Sequence, residues 1–242
     1  MELSLGIWHI TLPRTITPTT ATALRRDFTA MVRDKTCEGL VLAGENGAFC
    51  EGLDFASLNK PTATRKAVAD FADCLRILRD SPKPVLAAID GRALGGGLGI
   101  AAACDGVIAS NRSLFALPEV LFGLTPAVIA PFVLERMAPR KFELWARTGG
   151  SHDAVEAQRE GLVDEIVGPE DLEQGATRWL RSLVRPRPDT IKRLKALTGD
   201  AARREALLKK GIVETTKALA DKKLKAALRA FAEEGIPPWE SP

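Results

Sequence analysis

The chain has 242 residues, 45% of them hydrophobic and 27% charged, which is enough apolar content to close a soluble core as one large domain or two small ones. A net charge of +3 is too small to require nucleic acid as a partner. The opening MELSLGIWHITL lacks the basic start and long apolar run of a secretory signal, and no stretch reaches the roughly 18 apolar residues of a membrane span, so a cytoplasmic protein with no membrane contact is expected.

In chain order, residues 4–12 alternate weakly and stop at Pro13, which suits an edge strand. Thr17 is placed to cap a helix with Pro18 at its first position, and Leu24, Phe28 and Met31 then share one face up to about Lys35. Residues 39–43 read as a short buried strand, and 44–60 as loop. A helix is predicted over 65–79, with Val68, Phe71, Leu75 and Leu78 at helical spacing, and buried strands over 84–89 and 105–109. Between those strands lies a glycine run, 91–97, followed by a small-residue helix to Cys104. Strand and helix therefore alternate, which implies a parallel sheet with crossovers. After Thr125 the pattern is helical except at 165–167, with a break at Arg185-Pro186-Arg187-Pro188 and one long helical pattern from 201 to 234, ended by Gly235-Ile236-Pro237-Pro238.

Residues 185–242 hold 14 Lys/Arg against 8 Asp/Glu, leaving the remainder at net −3. The C-terminal part is thus a basic, amphipathic element, with Leu207, Leu208, Val213, Leu219, Leu224, Leu228 and Phe231 as its apolar side. Cys37, Cys50, Cys74 and Cys104 lack metal-ligand spacing and are expected as free thiols in a reducing compartment.

Two glycine-bearing loops carry the chemistry. One spans 48–55 after a buried strand; the other, Gly95-Gly96-Gly97, follows a second buried strand and opens a helix. A helix N-terminus offers unpaired N–H groups, and glycine lets a ligand approach them. Two such loops side by side point two donors at one oxygen, the arrangement of an oxyanion hole. The glycine run alone also fits tight helix–strand packing; it lacks the spacing of a dinucleotide loop and the lysine of a phosphate loop.

At these residues the chain resembles the crotonase (enoyl-CoA hydratase/isomerase) superfamily. Phe49-Cys50-x-Gly52-x-Asp54 looks like that family's first oxyanion loop, Asp90-Gly91-x-Ala93-Leu94-Gly95-Gly96-Gly97 like its second, and Phe115-x-Leu117-Pro118-Glu119-x-x-x-Gly123-x-x-Pro126 like the segment bearing a catalytic glutamate. Glu156-Ala157 with 161–167 matches a further recurrent segment. The resemblance implies an α/β fold, a crotonase-like ββα spiral core over 1–184 and a helical C-terminal trimerisation region over 185–242. It also implies Leu53 and Gly96 as N–H donors and Glu119 as the acid/base. No metal or cofactor is implied, CoA or phosphopantetheine serving as the substrate carrier. The implied partners are an acyl-CoA or an acyl carrier protein, and a homotrimer or hexamer of the chain itself.

Two departures shape that expectation. Gly99 stands where hydratases of the family carry the first of two glutamates, which weighs against simple hydration and points to single-base proton shuttling as in some isomerases of the family; the expected activity is that of an acyl-thioester dehydratase/hydratase or isomerase. The asparagine usual between first strand and first helix is missing from 13–20. Arg14-Thr15-Ile16, 49–55 and 118–127 are similar to the crotonase homologues of polyketide β-branching cassettes. A decarboxylase on the same scaffold, and a non-catalytic protein that binds acyl groups or RNA through the basic region, are the competing readings. Of the remaining polar residues, Asp54 and Asp105 read as structural, Glu51 as exposed, His9 and His152 as structural or solvated, and Lys60 as solvated.

Overall fold

The protein is described by a computed structural model over residues 6–54, 57–58 and 61–234, with backbone only for 229–234. Phe55, Lys60, the Phe231 side chain and the predicted terminator at 235–238 lie outside the described residues.

The first helix, α1 (Pro18–Arg33), starts as its sequence dictates. Thr17 accepts the N–H of Thr20 at 3.2 Å, while the Thr20 hydroxyl takes the N–H of Thr17 at 2.8 Å. Two orphan donors are satisfied reciprocally, and Leu24, Phe28 and Met31 are buried against the core. Strand β1 (Ile7–Thr11) lies at a sheet edge beside β2 (Gly39–Ala43).

A strand–strand–helix unit then repeats. Strand β2 runs on to β3 (Ala48–Cys50) and α2 (Pro61–Asp80); β4 (Val85–Ile89) to β5 (Arg92–Leu94) and α3 (Gly96–Ala103). The third pair is β6 (Gly106–Ser110) and β7 (Leu114–Ala116). The first strands of the pairs, with β1 and β9 (Glu165–Val167), form a parallel sheet in the order β1-β2-β4-β6-β9. The second strands form another sheet, β3-β5-β7-β8, in which only β8 (His152–Asp153) is antiparallel. This is the expected α/β architecture, a ββα spiral. Its strands β2, β4 and β6 are almost wholly buried, as continuous apolar runs require in a parallel sheet.

Of the three-residue strands, β3 falls in the segment read as loop, β5 in the glycine run, and β7 where no element is predicted. They are too short to show a periodicity, and their pairing partners are distant in sequence. The second half contains α4 (Ala130–Val133), α5 (Pro139–Thr148), α6 (Ala154–Arg159), α7 (Leu172–Leu183) and α8 (Pro188–Thr198). The predicted helix over 201–234 is in fact two, α9 (Ala201–Ala218) and α10 (Lys222–Glu234). Asp221 separates them: its Oδ1 accepts the N–H groups of Lys223 and Leu224 at 2.8 and 2.9 Å and starts a new helix.

Leu208 on α9, Leu219 just after it and Leu228 on α10 are buried, whereas Val213, predicted on that side, is 68% exposed. Ion pairs fasten the basic helices to the core. Lys195 meets Asp105 at 2.6 Å, and Arg204, its side chain 9% exposed, meets Glu135 at 2.7 Å and also Asp80. Arg204 is buried, but Asp80 is half exposed and Glu135 keeps its pair with Arg79, so Arg204→Ala is expected to cost about 1–2 kcal/mol in urea unfolding through lost packing and pairing, while the exposed Arg203→Ala stays within about 0.5 kcal/mol.

Candidate active site

The two glycine loops meet between the sheets. Gly52 has φ of +86°, and a Cβ there would lie 2.8 Å from the backbone nitrogen of Gly96. Only a residue without a side chain permits that approach. The loop of Gly52 is held from the other side by the segment before α1. Ile16 donates to Gly52 O at 2.8 Å, and Asp54 donates to Ile16 O at 2.9 Å. In extended chain, successive N–H groups face opposite ways, so the N–H of Leu53 points away from Ile16. Gly96 opens α3, where the helix has no carbonyl for its N–H. Leu53 and Gly96 both line one pocket.

Glu119 lines the same pocket. It sits in a 3₁₀ turn, Pro118–Phe122, begun by proline and closed by Gly123 at φ of +76°. Gly95, also at positive φ, lies directly beneath it: a Cβ there would come within 2.9 Å of Glu119 Oε1. The residue as a whole is half-buried, but Oε2 is closed off from solvent and finds no hydrogen-bond partner among the described residues. Burial therefore pushes its carboxyl up to about 7, offset only in part by a backbone N–H. The neighbouring wall is apolar, formed by Phe71, Phe122, Leu124 and Ile129.

The family's other carboxylate position has no room for a side chain. A Cβ on Gly99 would stand 2.2 Å from Ile129 Cγ2 and 2.7 Å from its Cβ. Glu51, predicted exposed, is instead half-buried on the pocket wall. Arg14 holds it at 2.9 Å and Arg92 at 2.5 Å. Burial would raise its carboxyl, but hydrogen bonds and charge from the two arginines outweigh that and hold it below the ordinary range.

Asp105 is structural: it accepts the N–H of Val85 at 2.9 Å besides pairing with Lys195. The backbone carbonyl of Asp54 accepts from Ser57. His9 is exposed in β1, whereas His152 stacks on Trp145 with ring centroids 3.7 Å apart and contacts Glu156 at 3.0 Å. All four cysteines are buried free thiols, each pushed upward by burial. No helix among the described residues is long and apolar enough to cross a membrane. Sequence reading missed Ile129 and Thr215 as pocket residues. Neither sits in a motif, and no local pattern marks them.

A spiral of ββα units whose paired glycine loops face a buried glutamate defines a class, and comparison with known proteins agrees. The family model for enoyl-CoA hydratase/isomerase matches residues 2–242. The crotonyl-CoA hydratase of Syntrophomonas wolfei is 32% identical over 178 residues, which cover 71% of this chain and 68% of that protein. The crystal structure of an enoyl-CoA hydratase from Mycobacterium avium superposes with a TM-score of 0.82 at 27% identity, covering 97% of this chain and 94% of that one. A Bacillus subtilis structure named for a polyketide biosynthesis enoyl-CoA hydratase shares the fold, with a TM-score of 0.84 at 22% identity and coverage of 98% and 97%. The chain belongs to the enoyl-CoA hydratase/isomerase family, within the crotonase superfamily, and is an enzyme of that family.

The raised carboxyl of Glu119 makes stability depend on pH. The folded protein keeps a proton that the unfolded chain releases near 4.5, so the associated stability is full below that pH and is lost as pH rises through about 7. Glu119→Gln cannot ionise. In urea unfolding it should match the wild type at about pH 4 and exceed it by about 3 kcal/mol at about pH 8.

Proposed function

We propose that the enzyme catalyses an enolate-forming proton transfer on an acyl thioester, as a dehydratase, hydratase or isomerase. The observation that carries this reading is Glu119, a buried carboxyl with an unpaired oxygen, on one pocket with Leu53 and Gly96. The N–H groups of Leu53 and Gly96 bind the thioester oxygen and stabilise the negative charge that develops there. Glu119 removes the proton next to the carbonyl. Returning it further along the chain completes an isomerisation; passing it to a departing 3-hydroxyl forms the double bond and releases water. A carboxyl poised near neutrality suits both taking and giving that proton.

The carrier is CoA or the phosphopantetheine arm of an acyl carrier protein. The motifs at 14–16, 49–55 and 118–127, together with the fold shared with the Bacillus subtilis protein, support a place in polyketide β-branching. Glu119→Gln keeps the shape and removes the basicity. Turnover of the true acyl thioester should fall by about 10²-fold or more, with KM little changed, in steady-state kinetics. Near-normal turnover would place the base elsewhere.

The working assembly is a homotrimer or a dimer of trimers, with 185–234 contributing to the contacts. Supporting it are Leu144, Val155, Leu197 and Val213, apolar side chains from 53% to 84% exposed in the single chain. Sedimentation at micromolar concentration should show one of these species; a stable monomer contradicts it.

A further inference from the structure

Ile129 lines the pocket from the segment that returns after the Glu119 turn, and it is 3% exposed. Its Cγ2 lies over Gly99, where a Cβ would come within 2.2 Å of it. Gly95, one turn earlier on α3, accepts the N–H of Gly99 at 3.0 Å and lies beneath the Glu119 carboxyl in the same way. Two glycines about 6 Å apart along the helix therefore seat an acid and a hydrocarbon as neighbours on one pocket wall.

Ile129 has little freedom to withdraw. Its carbonyl accepts the N–H groups of Phe132 and Val133 at 3.0 and 3.1 Å, which ties it to the start of α4. Helix α9 closes in behind the same segment: a Cβ on Gly211 would lie 2.2 Å from Ala127 O. Hydrocarbon offers water no partner, and a space lined by it stays dry. Oε2 of Glu119 is accordingly closed off and unpaired. The charged side chains described on α5 and α10, the helices packed on the Glu119 turn, are Arg140, Lys141, Glu143, Arg147, Lys222, Lys223 and Lys225. Glu51 lies on the pocket wall between Arg14 and Arg92. None of these pairs with Glu119, so burial is what governs it. A base sealed from water keeps the proton it takes, because leakage to solvent needs water at the carboxyl.

We propose that Ile129 is a positioning residue for the proton transfer: seated on Gly99, it bars water from the Glu119 carboxyl, so that the proton taken from the substrate returns to the substrate, or to its departing hydroxyl, and is not lost to solvent. The inference rests on the proton-transfer reading of this pocket and states how the proton is kept. With a 3-enoyl thioester, the C2–H bond breaks, its electrons pass into the enolate and its proton goes to Glu119. The same proton then bonds C4 as the double bond moves from C3–C4 to C2–C3.

The test uses the full chain and 3-hexenoyl-CoA carrying two deuterons on C2. Mass spectrometry of the 2-hexenoyl-CoA formed early in the reaction reads whether the removed deuteron reappears on C4. The parent enzyme should keep it in most of the product, Ile129→Ala should lose it to solvent, and Ile129→Val, which retains Cγ2 on Gly99, should keep it. A second readout needs no substrate: the acid carbonyl band of Glu119 in the infrared, identified by its loss in Glu119→Gln. Its midpoint should fall from about 7 toward 4.5 in Ile129→Ala and stay in Ile129→Val. Ile129→Thr has the branched shape of valine with a hydroxyl beside the carboxyl, and it should also lower the midpoint; the Thr–Val comparison serves where the Ala variant does not fold. Label already lost in the parent, or kept equally in Ile129→Ala, overturns the assignment and leaves the proton-transfer reading standing. So does a midpoint that neither Ile129→Ala nor Ile129→Thr moves. A parent enzyme that removes no deuteron, by isomerisation or by exchange with solvent, overturns the proton-transfer reading and this assignment with it.

Discussion

Two protein backbones can bring their N–H groups to one small space only where neither carries a side chain at the crossing. Gly52 and Gly96 meet under that constraint, and the rest of the site is arranged around their contact. The second sheet exists to hold it. Strands β3 and β5 pair side by side, so the chain leaving β3 at Cys50 and the chain leaving β5 at Leu94 emerge as neighbours. Ile16 grips the first loop from outside, and the next strand over, β7, delivers the turn that carries Glu119. Without the long parallel sheet beneath, three-residue strands would not hold register, because each contributes too little buried surface of its own.

The pocket's two carboxylates have opposite environments. Glu119 faces a mostly apolar wall and pairs with no cation among the described residues, so burial holds its proton to near neutrality. Glu51, on the same wall, is bracketed by Arg14 and Arg92 and stays ionised. A divergence of this kind separates the group that can exchange a proton from the one that cannot. The arginine bracket also ties the first glycine loop to the segment before α1 and to β5, the strand that leads into the second glycine loop. Electrostatic pairing and loop placement are therefore one interaction.

The C-terminal helices are bound to this core by contacts of two kinds. Leu208, Leu219 and Leu228 bury apolar surface, and Lys195 and Arg204 are matched to acids of the core. The basic charge concentrated at this end of the chain is thus partly internal. Several of its cations are structural ties, and the exposed remainder, such as Lys210 and Lys217, faces solvent.

Much of this was legible in the residues alone. Thr17-Pro18 announced a helix start, the apolar runs at 39–43 and 84–89 announced buried parallel strands, and the ordered glycine and glutamate motifs picked out residues that line one pocket. Local chemistry determines such features, since a cap, a period or a proline acts within a few residues. Tertiary structure alone decided the others. The short strands β3, β5 and β7 form because partners far away in sequence align beside them. The helical pattern of 201–234 breaks at Asp221, an acid whose side chain caps a second helix instead of lying on the surface of one. Glu51 reads as a surface residue until two arginines from separate elements close on it. Ile129 fills the space beside Gly99, and Thr215 comes from α9 to the pocket wall; neither carries any signal of doing so, because burial and pairing are relations between segments that only the folded chain brings together.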